Sequence, residues 1–399
     1  MFNNQQVSYL TSRLLSLKPV KRKWLVLALV CMGWVLFGWI SLQGQYFEGI
    51  LWQTSQAAAL DADTPPALQD PVNVQPAKSA VTLRGITYTS QTLNNCGPAV
   101  LAMNFSYYGV TLDQQTIAQT LRPNDDDKNV RSDELASYAV EQGYQATLRV
   151  NGNDQLLRLF LSNGIPVIIE TWVSDNSPDL ANGYAHFRLV TGYDDSRQAW
   201  IVYDSYISGN LVNPFGSYQG MYVSYAQADQ AWQIMNRKYV VIYTDEQALL
   251  VKSLIGHNLT DKTMWKNSLM QANAELGQQP HNPFAWFNLG SSLYAVGLPG
   301  QAVQAFDKAQ SLGLPTRMLW YQYEPLEAYY AVGQYGDIVN LINMNLASAS
   351  GIEELYYWKA LALAGLNEPS QAYEVLKQAL SIKPNYQQAL TALDRGFGG

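Results

Sequence analysis

Hydrophobic and polar positions change texture several times along this chain. Residues 1–23 carry five cations, Arg13, Lys18, Lys21, Arg22 and Lys23, and no acidic residue. Trp24 to Ile40 is an uncharged, mostly apolar run, and no charge follows before Glu48. At about 1.5 Å per residue, a helix of that length crosses a bilayer core of about 30 Å. A transmembrane helix is therefore expected over 24–42. No Lys or Arg follows until Lys78, so the positive-inside rule puts the basic segment 1–23 in the cytoplasm and the rest of the chain outside the cell membrane. A cleaved signal peptide, with Ala57-Ala58-Ala59 as its small-residue site, competes with this reading. The length of the run and the aromatic residues Trp39, Tyr46 and Phe47 at its far edge favour the single-pass anchor. Residues 54–78, with Pro65, Pro66, Pro71 and Pro76 and no apolar period, read as a semi-extended spacer, which sets a linker over 43–80.

From Val81 to Asp245 the pattern is that of a folded domain. Val81–Thr89 alternates like a short strand, and an apolar helix starting at Cys96 runs to Tyr108 before Gly109 stops it. Asp113–Leu121 and Ser132–Gln142 read as helices flanking the acidic stretch Asn124–Lys128. That stretch lacks a calcium-loop signature and reads as a solvated turn. Tyr144–Val150 predicts a strand, Asp154–Ser162 a helix and Ile165–Val173 an apolar strand. Ala185–Tyr193 and Ala199–Asp204 predict a hairpin turning near Asp195. Helices first and strands after predict an α+β domain with an antiparallel sheet over 81–245. Beyond Asp245 the chain becomes helical and rich in Ala, Leu, Tyr and Gln, which predicts an all-α domain over 246–395.

Charge and composition narrow the function. The net charge is −7, and with +5 in residues 1–23 the remainder carries −12. An acidic outer part is a poor nucleic-acid binder, where a basic face is needed. Of the two cysteines, Cys31 falls in the apolar run, so a structural disulfide is not expected, and zinc spacing is absent. No cofactor or metal is called for. The three histidines are His186, His257 and His281.

Cys96 stands where a polar turn meets an apolar helix. Pro98 suits a first helical turn, and Asn94 or Asn95 is placed to cap it. At a helix N-terminus the free N–H groups and the dipole favour a thiolate. In the predicted hairpin, a register symmetric about Asp195 sets His186 directly opposite Asp204, with Cβ atoms about 5 Å apart. A histidine with a carboxylate to orient it is what nucleophilic catalysis requires. Asp194 and Asp195, at the turn, are too distant for that role.

Gln91, four residues, Cys96-Gly-Pro-Ala, then Ala185-His186-Phe and the strand-end Asp204 resemble the peptidase C39-like family, a papain-like cysteine peptidase fold. The resemblance implies Cys96 as nucleophile, His186 as general base and then acid, Asp204 as the residue orienting it, and the Gln91 amide as an oxyanion-hole donor. Where that family often has Pro after the acidic residue, this chain has Ser205. Further on, Pro283, Trp286, Leu289, Gly290 and Tyr294, followed by Ala302, Phe306 and Ala309, resemble the tetratricopeptide repeat. Ala372, Leu376, Ala379 and Pro384 repeat the second half of that unit 70 residues later, about two periods of thirty-four. Ala328, Ala331, Met344 and Ala347 fill the gap with a looser unit, and a helix over Asp261–Leu276 precedes the array. Stacked repeats form a concave surface, and by resemblance this one takes a protein or peptide partner. His257 and His281 lie outside the domain that holds Cys96.

These features together suggest a membrane-anchored, outward-facing cysteine peptidase or amide hydrolase acting on a peptide or protein substrate through an acyl-enzyme. Two other classes remain: a scaffold that binds peptide in a C39-like fold without turnover, and acyl transfer to an amine.

Overall fold

The computed structural model describes residues 73–174, 180–207, 212 and 216–396. The basic segment, the apolar run expected to span the membrane and the linker up to residue 72 lie outside the described residues. Among the described residues, no helix is long and apolar enough to cross a membrane.

One antiparallel seven-stranded sheet organises the first part. Its strands are β1 (Ala80–Thr82), β2 (Gln145–Arg149), β3 (Val167–Val173), β4 (Tyr184–Asp194), β5 (Ala199–Asp204), β6 (Met221–Ser224) and β7 (Tyr239–Tyr243). They run in the order β2-β7-β3-β4-β5-β6, with β1 paired to β4. β3, read from sequence as an apolar run, is central and buried on both faces through Trp172. Such strands lose the polar-apolar alternation that marks a half-exposed one. The strand expected over Val81–Thr89 pairs only as β1, and beyond it Leu83 N–H still reaches the Thr191 carbonyl.

Each face of the sheet carries its own core. On one face, α1 (Cys96–Tyr107) lays Val100, Leu101, Met103 and Phe105 on Ile168, Leu189, Val240 and Ile242. Its residues Gly97 to Phe105 are all buried, as suits a helix apolar all round. α2 (Gln114–Leu121) and α3 (Ser132–Glu141) complete that layer. On the other face, α4 (Asp154–Ser162) and α5 (Tyr225–Ile234) pack with Val167, Val190, Trp200 and Val241. α6 (Ala248–Ile255) follows the change of texture at residue 245, yet buries Val251, Leu254 and Ile255 in this same core.

The rest is helical. α7 (Asp261–Gln278) precedes three helix pairs: α8 (Pro283–Ala295) with α9 (Pro299–Ser311), α10 (Glu324–Ala331) with α11 (Tyr335–Leu346), and α12 (Glu353–Gly365) with α13 (Pro369–Ile382). α14 (Gln387–Arg395) closes the stack. Pro stands in the first turn of α8, α9, α10 and α13, where a missing N–H costs nothing. Ala302, Phe306, Ala372 and Ala379, the small and large residues of the repeat pattern, are buried.

The repeat helices close on the sheet domain and correct in part the reading of Asn124–Lys128 as a solvated turn: Asp125 and Asp126 are exposed, but the rest of the turn meets the repeats. Asp127 is completely buried, Lys128 N–H donates to the Gly351 carbonyl at 2.9 Å, and the Asn124 amide donates to the Ser381 carbonyl at 3.2 Å. The approach is close enough to require glycine: a Cβ on Gly351 would fall 1.6 Å from the Asp126 carbonyl oxygen. Around this seam Asp127, Glu353 and Glu354 are buried together with Lys383, beside the half-buried Arg131. Lys383 touches Glu134 and lies 3.1 Å from Glu353, and Arg131 lies 3.5 Å from Glu354. Burial raises the three buried carboxyls, Glu353 to about 7 and Glu354 and Asp127 to about 8.

Candidate active site

Cys96 is the first residue of α1. Ahead of it Asn94 takes a φ of +57°, a left-handed conformation that asparagine tolerates. The expected side-chain cap does not form. Asn95 is instead buried, its amide donating to Gln114 Oε1 at 3.0 Å and accepting from Arg122 Nη1 at 3.0 Å. The helix start is thus held from behind, and its own donors stay open. Pro98 has no N–H, and the N–H groups of Cys96 and Gly97 have no partner within the helix.

His186 and Asp204 meet, by a register other than the expected one. Asp204 stands opposite Arg188, not His186. Near the turn the pairs are Asp194 with Ala199, Tyr193 with Trp200 and Gly192 with Ile201. Continued unchanged, that register would set Asp204 opposite Leu189 and, by strand alternation, on the face away from His186. A bulge between Val190 and Gly192 absorbs Thr191 and shifts the pairing by one. Asp204 thereby shares a face with Arg188 and His186, and His186 Nε2 reaches its Oδ1 diagonally at 2.8 Å.

The carboxylate is held at every edge. Its Oδ1 also accepts the Tyr206 N–H at 2.9 Å, and its Oδ2 accepts from Arg188 Nε at 2.8 Å. Burial opposes the Asp204 charge, but the hydrogen bond and charge of His186, with Arg188, hold its carboxyl well below the usual range. His186 is completely buried, which alone would lower it. The hydrogen bond to Asp204, then that to Cys96, and the charges of both outweigh burial and raise the imidazole to about 9. With Nε2 turned to Asp204, Nδ1 is the nitrogen left for the Cys96 sulfur.

Gln91 is fixed by the residue that departs from the family pattern. Ser205 is fully buried; its hydroxyl donates to Gln91 Oε1 at 2.8 Å, and its carbonyl accepts the Gln91 N–H at 2.9 Å. Turning Oε1 to Ser205 leaves the Nε2 hydrogens without a protein partner among the described residues.

Gln91, Cys96 and His186 line a cleft of about 330 Å³, and Arg317, Trp320 and Tyr321 of the helical region line it too. A larger hollow of about 710 Å³ lies between the sheet domain and the repeats, and neither Cys96 nor His186 reaches it. His257 and His281 lie outside the cleft. Sequence reasoning missed Arg188, Ser205 and the repeat-borne wall. A buried Asp204 shared between His186 and a cation two residues on was open to deduction from strand alternation. Ser205 gave a signal only as an exception, and the wall gave none.

Residues 83–236 match the model of the Peptidase_C39 like family. That stretch contains all four residues proposed for the site. Residues 353–386 match the tetratricopeptide repeat. Among curated proteins no relative is found. Among solved structures the chain is similar to xylellain, a cysteine protease from Xylella fastidiosa, at 16% identity over 45% of this chain and 95% of that one, with a TM-score of 0.33. It is similar to the peptidase domain of Streptococcus ComA, a bifunctional ABC transporter involved in quorum sensing, at 16% identity over 40% and 100%, TM-score 0.29. It is also similar to MamA, at 21% identity over 32% and 74%, TM-score 0.29.

Proposed function

We propose that this chain is a cysteine peptidase or amide hydrolase working through an acyl-enzyme on Cys96. The observation that carries the reading is the line Cys96–His186–Asp204, whose first two members face one cleft with the Gln91 amide open beside them and whose third is buried behind. In the first step the Cys96 sulfur adds to the substrate carbonyl carbon. The oxygen that gains the electron pair is met by Gln91 Nε2 and the Cys96 N–H. His186 then gives its proton from Nδ1 to the leaving amine, the C–N bond breaks, and the acyl group stays on sulfur. In the second step water loses a proton to the now neutral His186 and attacks the thioester, releasing the acid and the thiolate. Throughout, Asp204 keeps the ring oriented and balances its charge, and Arg188 keeps Asp204 ionised.

The uncharged run at 24–42, led by five cations, supports a membrane anchor with the cleft on the outer side. The repeat match supports a protein partner for the helical region.

The test is hydrolysis of a diverse peptide pool by the full chain, beside Cys96→Ala, with new amino termini as the readout. Wild type should cut and the variant should not. If wild type releases nothing, and iodoacetamide labels folded Cys96 no faster than the urea-unfolded chain, the reading is wrong.

A further inference from the structure

Three repeat-region residues enter the wall of the cleft, and the structure holds them there firmly. Tyr321 packs its ring edge-on against Trp172 of β3, centroids 6.1 Å apart, and its hydroxyl meets the Ala185 backbone beside His186. Burial raises that hydroxyl, and the charge of Arg317 acts the other way. The Asn129 amide bonds the Trp320 carbonyl and, at 3.1 Å, the Tyr323 hydroxyl. Arg317 stacks its guanidinium 4.5 Å from the centre of the Trp320 ring and bonds the Gly183 carbonyl at 3.5 Å. From the sheet domain, Lys128 also lines the cleft, placed by its backbone bond to Gly351.

Among the described residues, the unpaired charges of this wall are one-sided. Among the described residues, neither Arg317 nor Lys128 makes an ion pair. Glu170, the carboxylate in the lining, is already held by Lys238 at 3.0 Å and by the Ser132 hydroxyl at 2.8 Å. A positive mouth on an acidic chain concentrates the field there, and the stacked guanidinium, with Nη1 on the Gly183 carbonyl, keeps its remaining donors for a carboxylate.

We propose that the repeat region supplies the selecting wall of the cleft, and that Arg317, with Lys128, takes a carboxylate of the substrate close to the cut bond. The substrate is then a peptide with an Asp or Glu side chain beside that bond, or one cut so near its end that its C-terminal carboxylate enters the cleft. This rests on the peptidase reading above. Arg317 is a specificity-determining residue, and the repeats act on the substrate directly as well as through any separate partner.

The experiment uses the full chain and matched peptides. One set places Glu or Gln at each position flanking the cut bond, and a second compares a free C-terminus with its amide. Charge-assisted pairs of this kind are worth about 10- to 100-fold. Wild type should favour one carboxylate-bearing set by that factor in kcat/KM, mostly through KM, and the set that responds tells side chain from C-terminus. Arg317→Gln should bring the matched peptides level, Arg317→Glu should reverse the order, and Arg317→Lys should restore part of the preference. Equal cleavage of matched peptides by wild type overturns the inference and leaves the peptidase reading standing. If wild type cuts nothing, the same peptides are titrated against Cys96→Ala by fluorescence anisotropy. Binding that favours the carboxylate and is lost in Cys96→Ala/Arg317→Gln then upholds the wall and overturns the peptidase reading. Indifferent binding overturns both.

Discussion

Replacing Asp204 by Asn should strip His186 of the partner that keeps it charged. In the wild type the imidazole titrates at about 9, against an ordinary 6.5, although its burial acts the other way. At about 1.4 kcal/mol per tenfold, that interval is worth about 3 kcal/mol in favour of the protonated ring. Asparagine keeps an acceptor at 2.8 Å but removes the charge, so burial acts with far less to oppose it. The midpoint should fall to 6.5 or below, and the ring should be neutral at pH 7. The chain has three histidines, which makes His186 assignable in a ring-labelled NMR titration by comparison with His186→Gln. Linkage gives a second readout. A folded midpoint raised above the unfolded one stabilises the fold fully below about pH 6.5, and this contribution is lost as pH rises to about 9. Across that window the wild type should lose up to about 3 kcal/mol from this group, and Asp204→Asn should flatten the slope. The depressed Asp204 carboxyl reports the same bond and is not counted again. A wild-type midpoint near 6.5, or one left unmoved by the substitution, would refute the reasoning.

Other perturbations have equally definite outcomes. Ser205→Ala frees the Gln91 amide to rotate, so peptide hydrolysis should lose about 10-fold or more in kcat with KM little changed, and a normal rate would remove Gln91 from the oxyanion site. Arg188→Met leaves Asp204 buried with one charged partner fewer and should cost about 3 kcal/mol in chemical denaturation, as when half of a buried pair is removed. At the seam, burial raises Glu353 from 4.5 to about 7 and Glu354 to about 8, so the stability these groups favour is greatest below about pH 4.5 and falls as pH rises towards 8. Lys383→Met should therefore lower the melting temperature far more at pH 8 than at pH 5, and an equal loss at both would mean that the carboxyls do not titrate there. In the repeats, Gly290→Ala would set a Cβ 2.5 Å from the Phe306 ring and should cost about 1–3 kcal/mol. Gly277→Ala, with nothing within 4 Å, should stabilise α7 by up to about 1 kcal/mol.

What could be read from sequence was what local physics determines. The α1 start at Cys96, the α4 span Asp154–Ser162 and the hairpin strands ending at Asp204 followed from apolar period and turn residues. The helix pairs followed from Ala302 and Ala372, 70 residues or about two repeats apart, with Ala328, Ala331, Met344 and Ala347 filling the gap. What failed was long-range. The turn was centred too early, so pair positions summed to 390 where those beside the turn sum to 393; the bulge at Thr191, which no local signal marks, brings the sum to 392, and at Asp204 the register was two residues out. Being even, that error left His186 and Asp204 on one face. Asn95 looked like a cap because its type suits one, but Gln114 and Arg122, 19 and 27 residues on, claim its amide. The charges of Asn124–Lys128 spoke for solvent, as holds for Asp125 and Asp126, but residues more than two hundred positions later fold back over the turn at Asp127. Arg317 and Trp320 enter the cleft by the same folding back.

The bulge gives the hairpin something like a reading frame. Residues added between Ser196 and Arg197 leave every downstream pair intact and spare Asp195, which Arg158 and Tyr225 hold, so that point can accept a grafted epitope or tag. A single deletion of Thr191 removes only the extra residue and leaves Arg188 opposite Asp204 in a regular ladder, so the His186–Asp204 pair should survive it. One residue inserted into β5 before Asp204, with the bulge kept, is the frameshift in space: it moves Asp204 opposite Phe187 and turns it to the other side of the sheet. Redesign of this hairpin should therefore count residues before it considers their chemistry.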